Sequence, residues 1–184
     1  MSGEQEKNPW TTLSSREIYD NPWIRVVEDQ VINPSGGRGI YGRVLFKNKA
    51  IGVIPLDHER HTWLVGQYRY TLGEYCWEIP KGGGPLGEPP AKTARRELEE
   101  ETGLAAGTLT ELMRFHTSDC VTDEEGWIFV AEDLVPGESH AEPTEALVVR
   151  RLPFTEALAM ALDGRITDAM SLFGLLKLAR RLGL

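Results

Sequence analysis

The chain has 184 residues, enough for one domain with a full hydrophobic core and too few for two comfortable ones. Its 41% hydrophobic and 26% charged residues are those of a soluble globular protein and exclude wholesale disorder. A net charge of −8 speaks against nonspecific nucleic-acid binding, which needs a basic surface to displace counterions, so any phosphate handled here must be neutralised locally by metal or placed cations.

The first nine residues, Met1 to Pro9, are polar and read as a loose tail without an apolar signal core. Residues 10–48 follow as N-terminal strands. A strand-like segment at Trp23 to Ile32 and another at Ile40 to Phe46 flank a Pro34-Ser35-Gly36-Gly37 turn, as in a hairpin. Residues 49–184 form the main domain. Short apolar or aromatic runs at Ala50 to Pro55, Thr62 to Tyr70 and Tyr75 to Pro80 predict strands. Gly82-Gly83-Gly84-Pro85 then breaks the chain.

Pro89-Pro90 predicts a helix start, Ala91 to Thr102 are strong helix formers, and Gly103 is placed to end the helix. Strands return at Leu109 to Phe115, Trp127 to Ala131 and Ala146 to Leu152, and helices at Thr155 to Leu162 and Asp168 to Leu182 close the chain. The pattern predicts a mixed α/β (α+β) sandwich flanked by helices.

Cys76 and Cys120 lack metal-ligand spacing and read as reduced, mostly buried thiols. No apolar run approaches the roughly 20 residues of a membrane span. A cytoplasmic enzyme without membrane or nucleic-acid partners is the expectation.

The chemistry concentrates on the middle helix. Glu97, Glu100 and Glu101 are three and four residues apart and share one face, where like charges repel by a few tenths of a kcal/mol per pair. They also occupy the last turn, where the helix dipole favours cations. A charged face neutralised by Arg95 and Arg96 is one explanation. The other is a hard-cation site, since carboxylate clusters suit magnesium or manganese.

The surrounding spacing decides between them. Gly82, five residues, Glu88, seven residues, Arg96-Glu97-Leu98, one residue, Glu100-Glu101, one residue, Gly103-Leu104 fits the 82–104 box of the Nudix hydrolases at every fixed position. A chance match in a chain this size is on the order of one in ten million at average residue usage. The chain therefore resembles the Nudix family. Gly52 to Asp57, Gln67-Tyr68-Arg69-Tyr70, Trp77 to Gly83 and Asp168-Ala169-Met170-Ser171 are similar to its ADP-ribose and nucleoside diphosphate sugar pyrophosphatase branch.

That resemblance implies a Nudix fold and a division of labour. Glu97 and Glu101, helped by Glu100, would bind two or three Mg²⁺ ions (Mn²⁺ being an alternative), with the backbone carbonyl of Lys81 as a further ligand. Arg96 would orient the carboxylates, and Glu88 would fix the loop or bind metal through water. Gly82 would let the backbone approach the ions and substrate. Arg69 would hold the phosphates or terminal sugar, and Glu78 would contact that sugar, while Trp77 packs in the core. The branch is usually dimeric through its N-terminal strands, which would place Trp23 or Arg25 against the nucleobase.

The same resemblance implies a general base from a mobile loop before a late strand, where Glu145 matches better than Glu142, with Glu124 as the second candidate. His58, His61, His116 and His140 have no paired spacing and read as bystanders. ADP-ribose enzymes of this branch typically carry a proline in the loop after the box. Here Phe115 to Glu124 keeps the Asp123-Glu124 pair but has no proline until Pro136, which leaves ADP-ribose, GDP-mannose and other sugar nucleotides open. Two other functions are the alternatives. One is hydrolysis of RNA 5′-pyrophosphate or dinucleoside polyphosphates with the same box, and the other is a non-catalytic sugar-nucleotide sensor on a decayed Nudix domain, which would usually have lost one of the box glutamates.

Overall fold

The computed structural model describes residues 7–137 and 147–184. The chain divides into two compact units, Met1–Lys47 with Ser118–Glu124, and Asn48–Thr117 with Glu125–Leu184.

The first unit is an antiparallel sheet of β1 (Thr11–Asp20), β2 (Ile24–Ile32) and β3 (Arg38–Phe46), with β2 central. Asn21 and Asn33 form its turns by accepting, through Oδ1, backbone N–H bonds from Trp23 and Ile24 and from Ser35 and Gly37 respectively. The second is the turn read from Pro34 to Gly37. Strand β1 has no counterpart in the sequence reading. Its pairing with β2 slips between Thr12 and Ser14 and again between Glu17 and Tyr19, so side-chain alternation changes phase twice in ten residues. All ten are exposed, which erases the hydrophobic signal.

Few side chains are buried in this sheet. Val27 and Val31 are joined by Asp29, whose carboxylate accepts from Arg43 Nε at 2.7 Å and Ser15 Oγ at 2.6 Å. The segment Ser118–Glu124 straps the outer edge of β3. Val44 N–H donates to Val121 O at 2.9 Å, Tyr41 OH to Cys120 O at 2.7 Å, and Phe46 N–H to Asp123 Oδ1 at 2.8 Å. The second unit contains the main core of the chain.

In chain order that unit comprises β4 (Asn48–Pro55), β5 (His61–Arg69), β6 (Glu74–Glu78), β7 (Lys81–Pro85), α1 (Pro90–Thr102), β8 (Leu104–His116), β9 (Glu125–Pro136), β10 (Val148–Pro153), α2 (Phe154–Leu162) and α3 (Ala169–Leu182). One sheet has the order β7-β4-β9-β8, with β4 and β9 parallel; the other is antiparallel, β10-β5-β6. Strand β4 is buried on both faces, which explains its unbroken apolar run. Ile51 and Val53 pack with Ala94, Leu98 and Phe129 under α1. Ile54 joins Leu64, Ile79, Ile128, Phe154, Leu175 and Leu178 in the cluster that seats α2 and α3. The mixed α+β architecture agrees with the sequence expectation.

Two sequence expectations fail. Gly82-Gly83-Gly84-Pro85 does not break the chain but forms most of β7, paired with β4 from Asn48↔Pro85 to Gly52↔Lys81. Gly82 and Gly84 serve the helix above: a Cβ at Gly84 would stand 2.7 Å from Thr93 Oγ1. Cys120 is exposed rather than buried, whereas Cys76 is buried as expected, and burial pushes the Cys76 thiol pKa up. Among the described residues, no helix is long and apolar enough to cross a membrane.

Candidate active site

Helix α1 is fixed at both ends by local chemistry. Pro89 occupies the N-cap and Pro90 the first turn, where a missing N–H costs nothing. Glu88 just precedes them, one oxygen 2.7 Å from Lys92 Nζ and the other accepting from Thr93 Oγ1 at 2.9 Å. These two hydrogen bonds, to Lys92 first, hold its carboxyl below the ordinary glutamate pKa. Glu88 thus ties the loop to the helix. At the far end Gly103 is left-handed (φ 69°), and its N–H returns to Glu99 O.

Between these caps Ala94 and Leu98 face the core, and Glu97 and Glu101 follow on the adjoining stripe, each only 7% exposed. Two carboxylates that deeply placed in the C-terminal half of a helix run against the dipole and incur the cost of burying charge. Protein groups offset this partly. Arg96 Nη2 lies 2.7 Å from Glu97 Oε1, and Nη1 lies 2.6 Å from Glu100 Oε2. The same Nη2 donates to Gly83 O at 3.0 Å, so Arg96 ties the helix to β7. Its burial favours the neutral guanidine, but the charges of Glu97 and Glu100 outweigh this and hold its pKa above the usual value.

Lys81 donates its backbone N–H to Glu101 Oε2 at 2.9 Å. Gly82 passes directly beneath Glu97, where a Cβ would come within 2.1 Å of the carboxyl group. Oxygen donors, a backbone cradle free of side chains and surplus negative charge together fit a hard divalent cation.

The adjoining cations are held by β6 and α3. Arg69 donates from Nε to both oxygens of Glu78, at 3.0 and 3.1 Å, and from Nη2 to Oε2. This pairing chiefly raises the Arg69 pKa against the effect of burial. Glu78 is 2% exposed and also lies 3.3 Å from Lys81 Nζ. Lys81 Nζ is shared with Asp168, the N-cap of α3. Trp77 packs partly buried against the larger core cluster.

The structure therefore brings Arg69, Glu78, Lys81, Gly82, Arg96, Glu97, Glu100 and Glu101 into connected surroundings. Trp23 and Glu124 belong to the first unit. There Trp23 is exposed with its N–H on Asn21, and Glu124 donates its N–H to Thr122 Oγ1. Glu142 and Glu145 lie outside the described residues.

Several polar groups escaped the sequence reading. The Lys81 side chain, Asp168 and Ser171 are linked across the chain, and only the helix-capping pattern of Asp168 and Ser171 hinted at it. Asp57, Glu59 and His61 offer ligand atoms within 4.8 Å of one another in the turn between β4 and β5. Arg151 bridges the two carboxylates, donating to Asp57 Oδ2 and Glu59 Oε2.

Comparison with known proteins agrees with this geometry. Residues 47–171 match the NUDIX domain model, and residues 10–44 match the nucleoside diphosphate sugar hydrolase N-terminal domain. The chain is 32% identical to an ADP-ribose pyrophosphatase of Mycobacterium tuberculosis, covering 92% of this chain and 83% of that protein. It is 30% identical to an ADP-ribose pyrophosphatase of Bacillus subtilis, covering 89% of each. A crystal structure of an ADP compounds hydrolase shares the fold, with a TM-score of 0.85 at 24% identity over 95% of this chain and 94% of the other. A family model spanning most of the chain, over a helix that buries two glutamates against a glycine strand, identifies the chain as a member of the Nudix family.

Proposed function

We propose that the chain is a magnesium-dependent pyrophosphohydrolase of nucleoside diphosphate sugars, yielding a nucleoside monophosphate and a sugar phosphate. The observation that carries this reading is the pair Glu97 and Glu101, buried side by side over Gly82. The similarity to ADP-ribose pyrophosphatases and to a nucleoside diphosphate sugar hydrolase domain supports the substrate class. ADP-ribose and GDP-mannose are the two substrates of first choice.

Glu97, Glu101 and Glu100 would hold the ions, with the Lys81 carbonyl as a further oxygen ligand. Held there, Mg²⁺ would supply the neutralisation of diphosphate charge that a net charge of −8 calls for, and would activate water. Arg96 bridges Glu97 and Glu100 through its two Nη groups and so orients both carboxylates. Glu78 holds the Arg69 guanidinium from one side, leaving a planar donor edge suited to a phosphate or sugar. Glu145 is the proposed general base, with Glu142 and Glu124 as the other acids to test. Trp23 is assigned to the nucleobase and the N-terminal sheet to a homodimer interface; its exposed Ile18, Tyr19, Trp23 and Ile40 support this.

The test is a panel of sugar nucleotides incubated with Mg²⁺ and scored for monophosphate release, beside Glu97→Gln and Glu101→Gln. ADP-ribose or GDP-mannose should be consumed by the unaltered chain and spared by both variants. If both survive while a 5′-triphosphorylated RNA is consumed, the substrate assignment is wrong. Light scattering of the same preparation decides the dimer.

A further inference from the structure

The segment Ile79 to Gly82 underlies the carboxylates, and each of its residues is pinned. Ile79 N–H donates to Ser171 Oγ at 3.0 Å. Pro80 O accepts from Val53 N–H at 2.9 Å. Lys81 N–H holds Glu101, and Gly82 lies under Glu97. One of these pins, Ile79 to Ser171, and the Lys81 side chain lead to the start of α3. Ser171, fully buried, donates its hydroxyl to Asp168 Oδ2 at 2.6 Å, and Lys81 Nζ donates to Asp168 Oδ1.

Capping α3 requires only one oxygen, the Oδ2 that accepts Ser171 N–H at 2.9 Å. An asparagine would serve that purpose equally well. The second oxygen and the full negative charge are spent on Lys81, whose side chain is only 17% exposed and whose other anion, Glu78, already holds Arg69. Two cations and two anions balance. Without the Asp168 charge, Lys81 and Arg69 would share Glu78 as their one ion-pair partner, with Glu101 acting only from farther off.

We propose that Asp168 is a positioning residue for the metal site, acting through Lys81 to hold the backbone under Glu97 and Glu101. Its side-chain partners are Lys81 and Ser171, so it would act through them and not as a ligand. The proposal rests on the metal-site reading above and adds to it a residue from the far end of the chain.

The test measures Mn²⁺ binding to the metal-free, substrate-free protein by electron paramagnetic resonance, with thermal melts and sugar-nucleotide kinetics alongside. Asp168→Asn retains the cap, so the chain should still fold, with a melting temperature lowered by the lost Lys81 ion pair. Its Mn²⁺ affinity should fall about tenfold, the lower end of the effect for residues that orient metal ligands. Lys81→Met should weaken Mn²⁺ similarly, and the double variant should be no weaker than either single one. Should Asp168→Asn fail to fold, Lys81→Met carries the test alone.

Unchanged Mn²⁺ affinity in the folded single variants overturns the proposal and leaves Asp168 as a cap only. Multiplying losses in the double variant overturn it too, because the two residues would then act separately. An unaltered chain that does not bind Mn²⁺ at all also overturns it. An unaltered chain that binds Mn²⁺ but releases no monophosphate refutes the hydrolase reading, while the Asp168 comparison still decides this one.

Discussion

Gly82 and Glu97 share a space that only a hydrogen can enter: a Cβ on Gly82 would stand 2.1 Å from the Glu97 carboxyl carbon. The obstructed group is the end of a flexible side chain, so Gly82→Ala should displace the carboxylate rather than unfold the sheet. We expect a loss of about 1 kcal/mol in stability or less, but a fall in kcat of roughly 10- to 100-fold, as for other disturbances of metal ligands. Urea denaturation and steady-state kinetics on the same preparation separate the two effects.

Glu97→Gln and Glu101→Gln should have opposite consequences for metal-free and metal-loaded protein. Each removes a charge that opposes the helix dipole and its neighbour, so the metal-free protein should be equally or slightly more stable, by a few tenths of a kcal/mol. The unaltered chain should gain about 2.7 kcal/mol at a metal concentration 100 times its dissociation constant, and the variants should gain almost none. Paired melts with and without Mg²⁺ read this directly. An equal metal-induced shift in all three proteins would mean that these glutamates are not the ligands.

Gly103 caps α1 in a conformation that side chains resist, φ 69°. Gly103→Ala should cost about 1 kcal/mol and lower the melting temperature by roughly 2–4 °C in a chain of this size. Because Glu101 is two residues away, a larger loss of activity than of stability would place the damage at the metal site.

The N-terminal unit should carry its own acid sensitivity. Hydrogen bonds from Arg43 and then Ser15 hold the Asp29 pKa below its ordinary value, against the opposing effect of burial. A depressed folded-state pKa contributes stability that is full above the unfolded value near 3.8 and is lost as pH falls through the folded value. Asp29→Asn should therefore destabilise this unit at neutral pH, by about 2 kcal/mol for a charged hydrogen bond, and the difference should shrink below pH 4. Fluorescence of Trp10 and Trp23, which both lie in this unit, follows its unfolding in a chain whose Trp63, Trp77 and Trp127 are replaced by phenylalanine.

What the sequence made legible was whatever a fixed period or fixed spacing encodes. Glu97, Glu100 and Glu101 had to share a face once the helix was recognised, and Pro90 and Gly103 marked its ends within a residue. Strand β1 was hidden because two bulges shift its alternation and every side chain is exposed. Strand β7 was hidden because Gly82 and Gly84 answer to α1 above them rather than to strand propensity. Lys81 and Asp168 meet across 87 positions, and no local pattern encodes so distant a contact.

The strap Ser118–Glu124 gives the first unit a discontinuous chain. During synthesis the outer edge of β3 has nothing to satisfy Val44 N–H and Phe46 N–H until Asp123 has left the ribosome, long after β3 itself. The nascent sheet must wait with an open edge, a state prone to pairing with other chains. For the same reason a fragment cut after Lys47 would lack a native border, and a soluble N-terminal unit would have to carry residues 118–124 grafted back onto it.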